Sequence, residues 1–321
     1  MKIFKVGILG TASIAEKFMI DAMKLCDRLE PVAIASRDPE KASAVAKKFG
    51  IPRHTSYEEL VSCPSIDIIY MPLPTGLHLE WGLKCLEAGK HVLFEKSLGR
   101  NGDEVKQLID FARKKKLLID ENYMFKFHTQ QQAVRESLSK LGVIRSFSAA
   151  FGFPPLNYDN FRYNKDLGGG ALLDAGGYVL KVLDVLFPGN PVEIRDSNLT
   201  FSNGVDVAGS IYACMRHDGY NVPCHLSFGF DNFYRCGIEI WGSMGLMSTN
   251  RTFTAGPAFD PVIRISTNDG DETIVIPKEN HFVKKLNAFV VNLSSGEFEE
   301  TYCSLSRQSV FIDRVSQLND K

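Results

Sequence analysis

Over roughly the first 120 residues, short apolar runs alternate with amphipathic stretches, the pattern of a parallel sheet with crossover helices. The runs are Lys5 to Leu9, Pro31 to Ala35, Asp67 to Met71, His91 to Phe94 and Leu117 to Ile119. Between them, helices are expected at Ser13 to Leu25, Pro39 to Phe49, Leu77 to Ala88 and Gly102 to Lys115. In the last, Val105, Leu108, Ile109 and Ala112 share one face, and Arg113 with the lysines 114–116 suits the carboxyl end of the dipole. Residues 1–122 therefore read as a doubly wound α/β domain with a Rossmann dinucleotide-binding pattern.

After Tyr123 the texture changes. A helix at Gln130 to Leu141, a strand at Ile144 to Phe151 and a loop at Phe153 to Asn164 lead to Gly168, Gly169 and Gly170. Ala171 to Phe187 has leucines and valines at helical spacing and stops at Pro188-Gly189, which predicts a helix despite Gly176 and Gly177. Alternating β-branched and aromatic residues from Pro191 to Pro277 predict a large, mostly antiparallel open sheet. Helices at Asn280 to Leu293 and Leu305 to Leu318 close a second, α+β domain over 123–321, expected to bind substrate and to oligomerise.

Charge narrows the partners. Lys plus Arg number 37 against 38 Asp plus Glu, so there is no basic field for nucleic acid or anionic membrane, and a small molecule fits better. MKIFKVGILG lacks a long apolar h-region, and no stretch approaches the ~20 apolar residues of a membrane span. The seven cysteines form no CxxC or Cys/His cluster, which suggests reduced thiols in a cytoplasm and no metal site.

Gly10, Thr11, Ala12, Ser13 and Ile14 lie between the first strand and the first helix, where a glycine-rich turn aims backbone N–H groups at a pyrophosphate. The same residues also suit an ordinary turn with Ser13 as the helix cap. The second strand ends in Ser36-Arg37 rather than an acidic residue, which suits a 2′-phosphate and favours NADPH over NADH. Asp38 is free in sequence terms to cap the following helix. Pro72, Leu73 and His78 follow one buried strand, and Glu95-Lys96 ends another, so all are placed to reach a cofactor at the carboxyl edge of the sheet. His78 serves equally as a helix-start residue bonded to backbone.

Taken together, the GTASIA turn, PLPTGLH, AGKHVLFEKSL, the NFR and LGGGALLDAGGY segments and YRCGIEIWGSMG resemble the glucose-fructose oxidoreductase / inositol dehydrogenase family over essentially the full length. The resemblance implies that Lys96, from the family's Glu-Lys-Pro motif, lies at the nicotinamide. It also implies that Asp174 and Tyr178, from its Asp-x-x-x-Tyr motif, supply the catalytic acid/base and its neighbour. Within the family the chain looks most like nucleotide-sugar 3-ketoreductases. Ser97 departs from the family's proline, removing a fixed φ behind Lys96, and Ala12 replaces a glycine.

In a helix, Asp174 and Tyr178 would emerge one turn apart on one face, and Gly176 with Gly177 would let a ring or backbone approach. The expected chemistry is NADPH-dependent reduction of a sugar ketone, with Tyr178 as proton donor and Lys96 stabilising the developing charge. A phenol of ordinary pKa near ~10 starts protonated, which favours reduction. Phe161, Arg162, Tyr163 and Tyr234 are candidates for the sugar or nucleotide-sugar, in a pocket expected between the halves. Alternatives are an NAD(P)-dependent polyol, free-sugar, anhydrosugar or dihydrodiol dehydrogenase, or a non-catalytic NAD(P)-binding regulator. One open face of the second sheet predicts a homodimer or homotetramer.

Overall fold

A computed structural model describes residues 2–319. By internal contacts the chain forms two compact units, Met1–Tyr123 with Phe282–Ser309 and Met124–His281 with Val310–Lys321.

In the first unit β1 (Phe4–Leu9) leads through a π-helical turn at Ala15–Met19 into α1 (Ile20–Lys24). There follow β2 (Leu29–Ala35), α2 (Pro39–Phe49), β3 (Arg53–Thr55), α3 (Tyr57–Ser62) and β4 (Ile68–Met71). Then come α4 (His78–Glu87), β5 (His91–Phe94), α5 (Gly102–Lys115) and β6 (Ile119–Glu121). All six strands are parallel, in the order β3-β2-β1-β4-β5-β6. The sheet reverses its growth direction beside β1 and β4, the place where open α/β sheets hold ligands. Every residue of β4 is buried, as a strand covered on both faces requires.

Local chemistry sets the helix ends. Asp38 accepts from the N–H groups of Glu40 and Lys41, Pro39 occupies the first turn of α2, and Gly50 ends it in the left-handed region. The short β3 and α3 were not expected: a three-residue exposed strand carries no readable alternation. β6 begins two residues later than the apolar run, because Leu117 and Leu118 lead into the strand instead of forming it.

The second unit opens with α6 (Thr129–Ser137) and β7 (Ile144–Gly152). A π-helical turn at Leu172–Gly176 runs into α7 (Gly177–Leu186), where one unbroken α-helix was expected. Seven strands follow: β8 (Val192–Ser202), β9 (Val205–His217), β10 (Tyr220–Gly229), β11 (Arg235–Gly242), β12 (Gly245–Thr249), β13 (Val262–Thr267) and β14 (Gly270–Val275). They form an eight-stranded sheet with β7, ordered β14-β13-β12-β11-β7-β10-β9-β8, antiparallel except where β7 meets β10. α7 packs on β7 and β10 over the buried alternate residues Phe147, Leu226 and Phe228. On the sheet's other face Tyr212, Trp241 and Leu246 are exposed.

The chain ends in α8 (His281–Ser295) and α9 (Glu299–Asn319). A single division at 122/123 would assign both to the second domain, yet Phe282–Ser309 packs with the first. The ring of Phe282 stacks on Phe18 at 4.9 Å, buried Lys285 pairs with Asp120, and the Tyr302 hydroxyl donates to the Leu117 carbonyl at 2.6 Å. An amphipathic pattern reports that a helix has a buried face but not which sheet receives it. Among the described residues, no helix is long and apolar enough to cross a membrane and no His/Cys/Asp/Glu cluster could hold a metal ion. None of the seven cysteines is in a disulfide.

Candidate active site

The first unit gathers its candidates at the carboxyl ends of β1, β2, β4 and β5. Gly10 follows β1 with φ +127°, a conformation L side chains rarely adopt, and a Cβ there would press on Leu73 Cδ2 at 3.1 Å. The turn after β1 is thereby packed against the Pro72-Leu73 segment. Thr11 Oγ1 lies 3.5 Å from Ser36 Oγ, linking the same turn to the end of β2. The first helical amides, of Ala15 and Glu16, bond to the Ala12 carbonyl, and Ser13 is exposed. Ser13 is therefore not the acceptor that starts the helix.

At the end of β2 the Asp38 carboxylate is committed to the first turn of α2, and the Asp38 N–H donates to Ser36 Oγ at 3.2 Å. Ser36 is half-buried, and Arg37 is exposed and hydrogen-bonded to Tyr57. Gly10, the Thr11–Ser36 link and this non-acidic edge fit a dinucleotide bearing a 2′-phosphate.

His78 is fully buried, with Nε2 2.9 Å from the Leu73 carbonyl and Nδ1 3.2 Å from that of Leu98. It takes the backbone-bonded alternative, and burial lowers its pKa. Its placement joins the segment after β4 to the turn after β5. Glu95 is also buried, and its carboxylate faces Tyr70 and Asn122. Lys96 follows it, partly exposed, and the Lys96–Ser97 peptide is cis.

The second unit gathers its candidates around the turn that bears Asp174. Gly170 has φ +118°, and a Cβ on it would overlap Asp206 Oδ1. Asp206, on β9, accepts the Leu172 N–H at 2.5 Å and so fixes the amino end of the π-helical turn. Burial pushes its carboxyl up to about 6. The Gly170 N–H donates to the Arg162 carbonyl at 2.9 Å, and Arg162 Nε donates to Asp174 Oδ2 at 2.6 Å. Arg162 thus grips both ends of the segment, from backbone and side chain.

Four residues on, Tyr178 is 4% exposed. Its ring lies against Phe151 at 5.0 Å and against Phe125 and Phe253 at 5.7 Å, with its hydroxyl 3.9 Å from Met124 Sδ. The Phe228 ring comes within 3.2 Å of the position a Cβ on Gly176 would occupy, the close ring approach the double glycine implied.

The four substrate candidates fall into two groups. The Arg162 guanidinium lies 4.8 Å over the Phe161 ring, and Tyr163 packs on Phe230 at 5.2 Å. Tyr234 instead bonds Thr254 at 2.7 Å and Arg251 at 2.8 Å. It lines two clefts of about 650 and 540 Å³ along the sheet with Ser227 and Arg235, neither of which includes Phe161, Arg162 or Tyr163.

Sequence reasoning missed Asp206, Tyr70 and Asn122. Asp206 interrupts the apolar residues Val205 and Val207, but its partner lies 34 residues away and only the fold reveals it.

Residues 4–123 match the oxidoreductase family with NAD-binding Rossmann fold, and residues 131–248 match the GFO/IDH/MocA C-terminal domain. A dTDP-3,4-didehydro-2,6-dideoxy-alpha-D-glucose 3-reductase of Saccharopolyspora spinosa is 38% identical, covering 91% of this chain and 88% of that protein. One of the same name from Streptomyces violaceoruber is 34% identical over 99% and 96%. The crystal structure of a 3-ketoreductase from Actinomadura kijaniata in complex with NADP and TDP-benzene superposes with TM-score 0.93 at 34% identity, covering 98% of each chain. The chain belongs to the Gfo/Idh/MocA family of oxidoreductases, as its motifs implied.

Proposed function

We propose that this protein is an NADPH-dependent ketoreductase acting on a 3-keto-deoxysugar carried on a nucleoside diphosphate, of the dTDP-linked kind named for its relatives. The observation that carries the reading is the segment from Asp174 to Tyr178: a carboxylate gripped by Arg162, then a phenol set in an aromatic wall, on a turn anchored by Asp206.

NADPH, held by the Gly10 turn, Ser36 and Arg37, supplies the hydride to the keto carbon. Tyr178 gives its phenolic proton to the carbonyl oxygen as that oxygen becomes an alcohol, and the phenol is restored from solvent. The Lys96 ammonium bonds the same oxygen and offsets its growing negative charge. Asp174 orients the segment that carries Tyr178. Arg162, with one face on Phe161, is the cation proposed to meet a diphosphate. The exposed Tyr212, Trp241 and Leu246 form the contact of a homodimer, and the unpaired thiols suit a cytoplasmic enzyme.

The test is NADPH oxidation with dTDP-3,4-didehydro-2,6-dideoxy-α-D-glucose, beside xylose and a trans-dihydrodiol with NADP+. Turnover of the nucleotide-sugar alone supports the reading. Preferential oxidation of a free sugar or diol would replace it, and stoichiometric NADPH binding with no turnover of any of the three would make the protein a regulator.

A further inference from the structure

The turn that bears Lys96 is held from behind by buried polar groups that the reaction does not consume. Tyr70 Oη and Asn122 Nδ2 each donate to Glu95 Oε1 at 2.7 Å. Tyr70 and Asn122 have no solvent exposure and Glu95 has 8%. Tyr70 belongs to β4, Glu95 follows β5 and Asn122 follows β6, so the network crosses three adjacent strands at the edge where the cofactor candidates lie.

The backbone is fixed too. The Glu95 N–H donates to the Met71 carbonyl at 3.1 Å and the Asn122 N–H to the Phe94 carbonyl at 2.9 Å. The Leu98 N–H donates to the buried carboxylate of Glu121 at 2.8 Å.

A strand end that needed only packing would carry an apolar residue like Phe94. A carboxylate is costly there unless something uses its charge. Both side-chain donors are neutral, so they orient the carboxylate without cancelling it. Burial pushes the Glu95 carboxyl up, and the hydrogen bonds from Asn122 and Tyr70, followed by the charge and backbone N–H of Lys96, work against that shift.

We propose that Tyr70, Glu95 and Asn122 are positioning residues for Lys96, presenting a fixed carboxyl group that holds its ammonium in register with the reacting carbonyl. This rests on the role given to Lys96 above. Glu95 is then a support of the lysine and not a ligand of the cofactor.

The experiment compares Tyr70→Phe and Asn122→Ala, each in the wild-type and Lys96→Ala backgrounds. Single-turnover rates and KM are measured with NADPH and dTDP-3,4-didehydro-2,6-dideoxy-α-D-glucose, and NADPH Kd by nucleotide fluorescence. Tyr70→Phe keeps the ring, so it tests the hydroxyl without opening the core. In the wild-type background each substitution is expected to lower the rate about tenfold, the scale of one hydrogen bond to a charged group. KM and NADPH Kd stay within about threefold, and in the Lys96→Ala background the further loss is under about twofold.

Equal losses in both backgrounds, or a loss that appears in NADPH Kd, would overturn the proposal and make the network structural or cofactor-shaping. A Lys96→Ala protein that reduces the sugar at the wild-type rate would instead remove Lys96 from the mechanism, and the network's role with it.

Discussion

Arg162 Nε donates to Asp174 Oδ2 at 2.6 Å, tying the loop before the triple glycine to the turn that leads to Tyr178. With side chains 27% and 12% exposed, the pair is largely withdrawn from water. Arg162→Ala removes this ion pair from the carboxylate, and urea unfolding should show a loss of about 2 kcal/mol. Adding Asp174→Asn should restore more than half of it. A double variant as unstable as Arg162→Ala would mean that the guanidinium acts through packing alone.

Tyr178→Phe keeps the ring among Phe125, Phe151 and Phe253 and removes only the proton donor. Turnover should fall by about 10²–10⁴ while NADPH Kd is unchanged. Near-normal turnover would exclude Tyr178 as the acid.

Much of this was legible in the chain. The parallel sheet was written in five apolar runs because strands buried on both faces cannot hide their composition, and Glu95-Lys96 at a strand end drew attention for the same reason. The π-turn at Leu172–Gly176 was not legible, since one inserted residue leaves the Leu/Val spacing almost unchanged. Asp206, Tyr70 and Asn122 lay hidden because their roles depend on pairings between distant strands. Tyr234 looked like a companion of Tyr163, but the sheet places it with Arg251 and Thr254.

Asp206 gives the second unit a pH signature. Its folded pKa, about 6, lies above the ordinary 3.8, so the stability it contributes is fully present below about pH 4 and is lost as pH rises through 6. Asp206→Asn has no such proton. Relative to that variant, the wild type should lose up to about 3 kcal/mol between pH 4 and 7, read from paired denaturation curves. A difference independent of pH would contradict the burial of the charge.

Arg37→Asp replaces a cation with a carboxylate at the ribose edge, where Asp38 is already committed to capping α2. The ratio of kcat/KM for NADPH over NADH should fall by at least about tenfold, most of it in the NADPH term. An unchanged ratio would place the 2′-phosphate elsewhere.

The most direct test is a crystal structure of the protein with NADP+ and a dTDP-linked substrate analogue, read for two distances from the analogue oxygen that stands in for the carbonyl. Tyr178 Oη and Lys96 Nζ should both lie within about 3.2 Å of it. Either group more than about 6 Å away, with no water between, would contradict the shared role of ammonium and phenol at one reacting oxygen.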